Sequence, residues 1–240
     1  MRPSLLHPKA KDRTVKFLIG NYRRLSLSDH KACYYAIEAV LIAIYSGCSG
    51  GPAPVSVPSF DPSGAAKKAL ELYDTDGDGF VSDEELQHAP GLKAAIKTLD
   101  TNKDGKVSEE EVVERVRVWN RSRIGVILFN CTFLLNGKPL SNAEITFDPD
   151  EFIAGSVQPA VGLTSMGGTT KPKVPKEKRP SPETPPGMQA GIYKVRVSKI
   201  VAGKETIPAK YNTETILGQE VSKDDWAISN KRVVFKLKSK

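Results

Sequence analysis

Asp74-Thr75-Asp76-Gly77-Asp78-Gly79-Phe80-Val81-Ser82-Asp83-Glu84-Glu85 is followed, 26 residues on, by Asp100-Thr101-Asn102-Lys103-Asp104-Gly105-Lys106-Val107-Ser108-Glu109-Glu110-Glu111. The two stretches are copies of one twelve-residue pattern. Side-chain oxygens recur at the first, third and fifth positions: Asp74, Asp76 and Asp78, then Asp100, Asn102 and Asp104. A glycine, Gly79 or Gly105, stands sixth, where the chain must turn sharply and a Cβ would be in the way. A glutamate, Glu85 or Glu111, closes each copy. So many carboxylates in one short loop repel one another unless a cation sits among them. Hard cations such as calcium take about six to eight oxygens in a flexible shell, which this donor set supplies.

The pattern resembles the EF-hand calcium loop, in tandem. That resemblance implies two Ca2+ sites. Position seven would give its backbone carbonyl (Phe80, Lys106), position nine would act directly or through water (Ser82, Ser108), and Glu85 and Glu111 would bind through both oxygens. It also implies that Val81 and Val107, at position eight, pair the two loops. The alternative is an acidic, glycine-rich turn pair that holds no metal.

Around the loops, the spacing predicts short helices. Pro62 and Ser63 mark a helix start, and Ala65 to Tyr73 lead into the first loop with Leu70 and Tyr73 facing a core. Glu84 to Gln87 form an exit helix, broken at His88-Ala89-Pro90-Gly91. Leu92, Ile96 and Leu99 lead into the second loop. A last helix over 108–120 turns Val112, Val113, Val116 and Trp119 inward. No methionine occurs between residues 60 and 122, whereas a calcium sensor opens onto a Met-rich groove. The close spacing is similar to that of EF hands in exported bacterial proteins, including dockerin-like modules. Extracellular calcium modules bind at roughly 10⁻⁴–10⁻³ M, so an exported chain stays loaded and the ion is structural.

From Ile124 the period changes to two. Ile127, Phe129, Cys131, Phe133 and Leu135 alternate up to Asn136-Gly137, a hairpin turn signal, and Ala143, Ile145 and Phe147 read as the return strand. Further strands are read at Tyr193–Val197, Thr215–Val221 and Val233–Leu237. One buried face on short strands predicts an antiparallel β-sandwich. The stretches Gly137–Phe147, Ala190–Val197 and Ile207–Asn212 resemble those of carboxypeptidase-regulatory-like, transthyretin-like domains, which implies an accessory module without catalytic residues. Lys171 to Pro186 is basic and proline-rich and reads as a solvated loop with polyproline character. Cys131 reads as a small core hydrophobe, and Trp119 and Trp226 as core residues.

At the other end, residues 1–31 are basic and polar, Ala32 to Tyr45 is mostly apolar, and Ser46-Gly47-Cys48 precedes a small, proline-rich tether. The apolar run is shorter than the roughly 20 residues of a membrane span. The order of a basic, then an apolar, then a small-residue segment describes a secretory signal. Ser46-Gly47-Cys48 resembles a bacterial lipoprotein signal, in which the cysteine is diacylated and becomes the new N-terminus. That resemblance implies an exported chain anchored to a membrane through Cys48.

The expected organisation is a multidomain α plus β chain. It has a leader over 1–47, a tether over 48–59, a helical EF-hand pair over 60–122, and a β-sandwich over 123–240 with a Pro/Lys-rich loop at 169–187. The net charge is +7, but eight Lys/Arg against three Asp/Glu fall within residues 1–47, so the rest is near neutral and nucleic-acid binding has no support. His7 and His30 lie in the leader, leaving His88 as the one other histidine. There is no HExxH, GxSxG or P-loop pattern. No enzyme is expected. A calcium-binding surface lipoprotein with a protein or envelope-polymer partner is the leading reading. The alternatives are a non-catalytic subunit of an exported hydrolase and a dockerin-like assembly module.

Overall fold

In the computed structural model, residues 55–239 can be described. The leader, Cys48 and the first part of the tether lie outside them. Pro62 opens helix α1 (Pro62–Tyr73), where its fixed φ suits the first helical turn and its missing N–H costs no hydrogen bond. Ala65, Ala66, Ala69 and Tyr73 recur at helical spacing and are buried. A two-residue strand β1 (Phe80–Val81) and one helical turn α2 (Asp83–Leu86) follow. Pro90 then opens α3 (Pro90–Leu99), with Leu92, Ala95 and Leu99 buried. Strand β2 (Val107–Ser108) and the longer helix α4 (Glu109–Ser122) complete the helical part. Ser108 and Glu111 form a reciprocal capping box that fixes the start of α4.

The remaining chain builds two facing sheets. In the first, β11 (Gly218–Val221), β8 (Gly191–Ser198), β5 (Glu144–Pro149) and β6 (Ala160–Leu163) run side by side, each antiparallel to its neighbour. In the second, β3 (Cys131–Leu135) pairs with β12 (Val233–Leu237), β4 (Lys138–Pro139) and β7 (Thr169–Thr170). A small β9–β10 hairpin (Ile200–Val201, Lys204–Glu205) stands outside both. Phe147 of β5 meets Phe235 of β12 edge to face at 6.3 Å, and Phe235 stacks on Phe133 at 4.6 Å, so aromatic rings fill the space between the sheets. Inward positions of β3, β8 and β12 match the alternation read in the sequence, and Cys131 is buried among them. The architecture is α plus β, with a helical EF-hand region and a region rich in antiparallel sheet.

Several details differ from the sequence expectations. Asn136 and Gly137 do make a tight turn, both at positive φ (52° and 78°), as a two-residue hairpin requires. Its return strand, however, is only β4: the Leu140 amide still donates to the Phe133 carbonyl at 2.9 Å, but the Phe133 amide turns to the Gly168 carbonyl at 2.8 Å, and β7 takes over that edge of β3. Ile145 and Phe147 belong instead to β5 in the opposite sheet. Strand β12 runs parallel to β3, not antiparallel. A period of two tells which face a strand buries and says nothing of its direction. The Pro/Lys-rich loop is better anchored than a solvated insert. Lys173 bridges Val161, Val174 is buried and bonded to Gly187, and the Arg179 guanidinium donates to the Val174 carbonyl at 3.1 Å. Trp119 is buried as expected, but Trp226 is 62% exposed with the Arg232 guanidinium over its ring. It starts the one-turn helix α5 (Trp226–Ser229), whose inward residue is Ile228.

The helices lie on the first sheet. Helix α3 packs on β11 and β8, and α1 packs on α4 and on the turn Glu151–Ile153. This explains why Ile192 is buried along with Tyr193: one side of β8 faces the opposing sheet and the other faces α3. Gly218 permits the close approach, since a Cβ there would overlap the Pro90 carbonyl. Helical and sheet residues share one buried hydrophobic cluster within the unit Ala53–Lys240.

Candidate metal centre

The two loops lie side by side, joined by the β1–β2 ladder. Val81 stands opposite Val107 and Phe80 opposite Ser108, so the position-eight valines pair as read from the sequence. Both valines are fully buried and fix the loops to the core beneath them.

Within each loop, backbone amides aim the carboxylates. Asp74 accepts from the Gly77 and Gly79 amides at 2.7 and 3.0 Å, and Asp76 and Asp78 accept from the Asp78 and Phe80 amides. Gly77 and Gly79 adopt positive φ (75° and 86°) to turn those amides inward. The second loop repeats the arrangement: Asp100 accepts from Asp104 and Gly105, Asn102 from Asp104, and Asp104 from Lys106. There Lys103 takes the left-handed conformation that Gly77 takes in the first loop, at φ 64°.

Each closing glutamate is buried and turns back on its own loop. Glu85 accepts from the Thr75 amide at 2.6 Å and the Ser82 amide at 2.8 Å, and Glu111 accepts from Thr101 at 2.8 Å and Ser108 at 3.0 Å. These bonds, the Ser82 amide first, hold the Glu85 carboxyl at about 2, so it is charged at any physiological pH. The Lys106 amide likewise lowers Asp104. Oxygens of Asp74, Asp76 and Asp78 come within 4.8 Å of one another. Each carboxylate oxygen has two lone pairs, so one amide bond leaves capacity for a cation. Ser82 and Ser108 stand at the loop ends beside the glutamates, and Phe80 and Lys106 lead into the ladder. All twelve residues read as ligands therefore fall within the two loops. The Lys106 ammonium reaches across to Asp78 at 3.0 Å, tying the second loop to the first.

Two buried carboxylates fasten this helical part to the sheets, and neither was legible beforehand. The first is Glu220 of β11. Its Oε1 accepts from Arg115 Nε at 2.5 Å and from Trp119 Nε1 at 2.9 Å, and its Oε2 accepts from Thr98 Oγ1 at 2.5 Å. The two remaining Arg115 nitrogens grip Asp224 at 2.7 and 3.0 Å. Arg115 stands on the apolar stripe of α4 between Val112, Val116 and Trp119, and an arginine in a buried stripe demands an acidic partner. That was the available signal.

The second is Asp150, fully buried, which accepts from Tyr73 Oη at 2.7 Å through Oδ1. Its Oδ2 has no hydrogen-bond partner among the described residues. Tyr73 directly precedes Asp74, and Thr98 stands two residues before Asp100, so each loop begins beside a bond to the sheet side. Burial pushes the Asp150 carboxyl above its ordinary 3.8, against the Tyr73 hydrogen bond and the nearby Lys194. The folded state thus holds this proton more tightly than the unfolded chain does. Its contribution is most favourable below 3.8 and is lost as pH rises through the raised folded value. Asp150→Asn removes that slope. The melting temperature of the variant, relative to wild type, is expected to climb as pH rises above 3.8, and an offset constant with pH would contradict the assignment.

Two segments of the chain, residues 66–88 and 92–114, match the family model of the EF hand, one on each loop with its flanking helices. These two segments carry the EF-hand pattern, and an EF-hand pair supports calcium binding. No curated protein and no solved structure matches it.

Proposed function

We propose that the chain is an exported lipoprotein of the cell envelope, anchored through Cys48, in which calcium fills both loops as a fixed part of the fold. Asp74, Asp76, Asp78, Phe80, Ser82 and Glu85 hold one ion, and Asp100, Asn102, Asp104, Lys106, Ser108 and Glu111 the other. One observation carries the structural role of the metal: the apolar side of α3 is covered by β8 and β11 of the same chain. A sensor needs that side free, because calcium works there by opening a groove for a target. Here the surface that a target would take is filled from within.

The sheet part then acts by binding or by stiffening the envelope, in keeping with its resemblance to transthyretin-like accessory modules. Catalysis has little to work with. Among the described residues His88 is the one histidine, exposed after α2, and burial pushes the Cys131 thiol far above its ordinary value.

The anchor is tested by phase partitioning of the full chain produced in a bacterium that processes lipoproteins. Wild type is expected in the detergent phase and Cys48→Ala in the aqueous phase. Equal partitioning of the two would remove the lipid anchor from this reading.

A further inference from the structure

We infer that a cleft on the sheet part, away from the calcium loops, binds an anionic amphiphile: an acyl chain carrying a single acidic head group. The cleft has a volume of about 560 Å³, within the range of roughly 300–1,000 Å³ typical of small-molecule sites. Its floor is apolar, built from Ile127, Phe129, Ile228 and Pro172, all buried, with Leu128 at 77% exposure on its wall.

Four lysines complete the lining: Lys171, Lys173, Lys223 and Lys231. All four are exposed, and none has an ion-pair partner among the described residues. No aspartate or glutamate lines the cleft. The acids next in sequence are already engaged: Asp224 by Arg115, and Asp225 by the Ala227 amide that it caps. Four ammonium groups around one apolar cleft raise its potential and attract an anion. A lysine's methylene stem can cover apolar wall while its head stays in water, so lining lysines suit both halves of such a site. A ligand that satisfies both halves has a hydrocarbon part for the floor and an acid for the rim. A bare polyanion would leave the floor wet, and a neutral hydrocarbon would leave the amines unpaired.

The walls are pinned in place. Ile127 and Met188 exchange backbone hydrogen bonds at 2.7 and 2.9 Å, and Lys173 and Val161 do so at 3.0 Å each. Gly187 lets the second wall approach the first, since a Cβ there would meet the Ile127 carbonyl oxygen at 2.8 Å. A preformed site spares the ordering cost of closing around a ligand. This assignment stands apart from the calcium loops and from Cys48, and either reading can fail without the other.

The test titrates the full chain with decanoate, with decanol as the uncharged match, and with dihexanoyl phosphatidylglycerol as a monomeric phospholipid, all followed by calorimetry. Saturable binding of decanoate or of the phospholipid is expected, weakened about tenfold or more in Lys173→Glu with Lys223→Glu, while decanol binds at least about tenfold more weakly. A milder pair, Lys171→Gln with Lys231→Gln, gives a second reading if the first variant melts lower than wild type. Preference for decanoate identifies a free fatty acid as the source, and preference for the phospholipid identifies a membrane lipid. Absence of saturable binding by both anions, equal binding by the folded variants, or equal binding of decanol would overturn the proposal.

Discussion

Arg115→Leu is expected to lower the unfolding free energy by about 3–5 kcal/mol, the usual cost of removing one partner of a buried ion pair. The cost comes less from the lost attraction than from what remains. Glu220 would be left in a buried site with only Trp119 and Thr98 to donate to it. Arg115→Leu combined with Glu220→Leu should recover much of that loss, because replacing both ions with apolar groups is often close to neutral. Denaturant unfolding of the single and double variants measures both. If the single variant lost under about 1 kcal/mol, the ion pair would not join helices to sheet as described.

Glu85→Gln with Glu111→Gln is expected to abolish calcium binding, with two distinguishable effects on stability. Without calcium, the amide keeps one acceptor oxygen where the carboxylate offered two, so one bond of each turn-back arrangement weakens. The cost should be about 0.5–2 kcal/mol per loop, in the range of a lost cap. With calcium at a hundredfold excess over its dissociation constant, wild type gains about 2.7 kcal/mol per site and the variant gains nothing. The gap between the two proteins should therefore widen sharply on adding calcium. A gap that stays constant would show that Glu85 and Glu111 serve as helix caps alone.

These two predictions also mark what the sequence could and could not disclose. The loop pattern is local: the twelve residues read as ligands lie within two short windows, so spacing alone could propose them, and the Val81–Val107 pairing stands as read. Burial faces of β8 and β12 were legible because alternation is local as well. Pairing is not local. Asn136-Gly137 announced a hairpin, yet nothing nearby said that β7, some 30 residues on, would take the rest of that edge and leave Phe147 to the other sheet. Composition made Lys171–Pro186 look solvated, because the partners that anchor it, Val161 and Gly187, are set by the fold. Arg115 and Glu220 are 105 residues apart, and each looked like surface charge until the helices were laid on β11.

The central claim is that calcium belongs to one folded unit of helices and sheets. Scanning calorimetry of the full chain, in calcium and in chelator, tests it most directly. One cooperative transition over residues 53–240 is expected, moving to higher temperature as a whole when calcium is added, because Tyr73–Asp150 and Arg115–Glu220 carry the loops' stability into the sheets. A sheet transition that stays at one temperature while a separate helical transition responds to calcium, or no response at millimolar calcium, would contradict it.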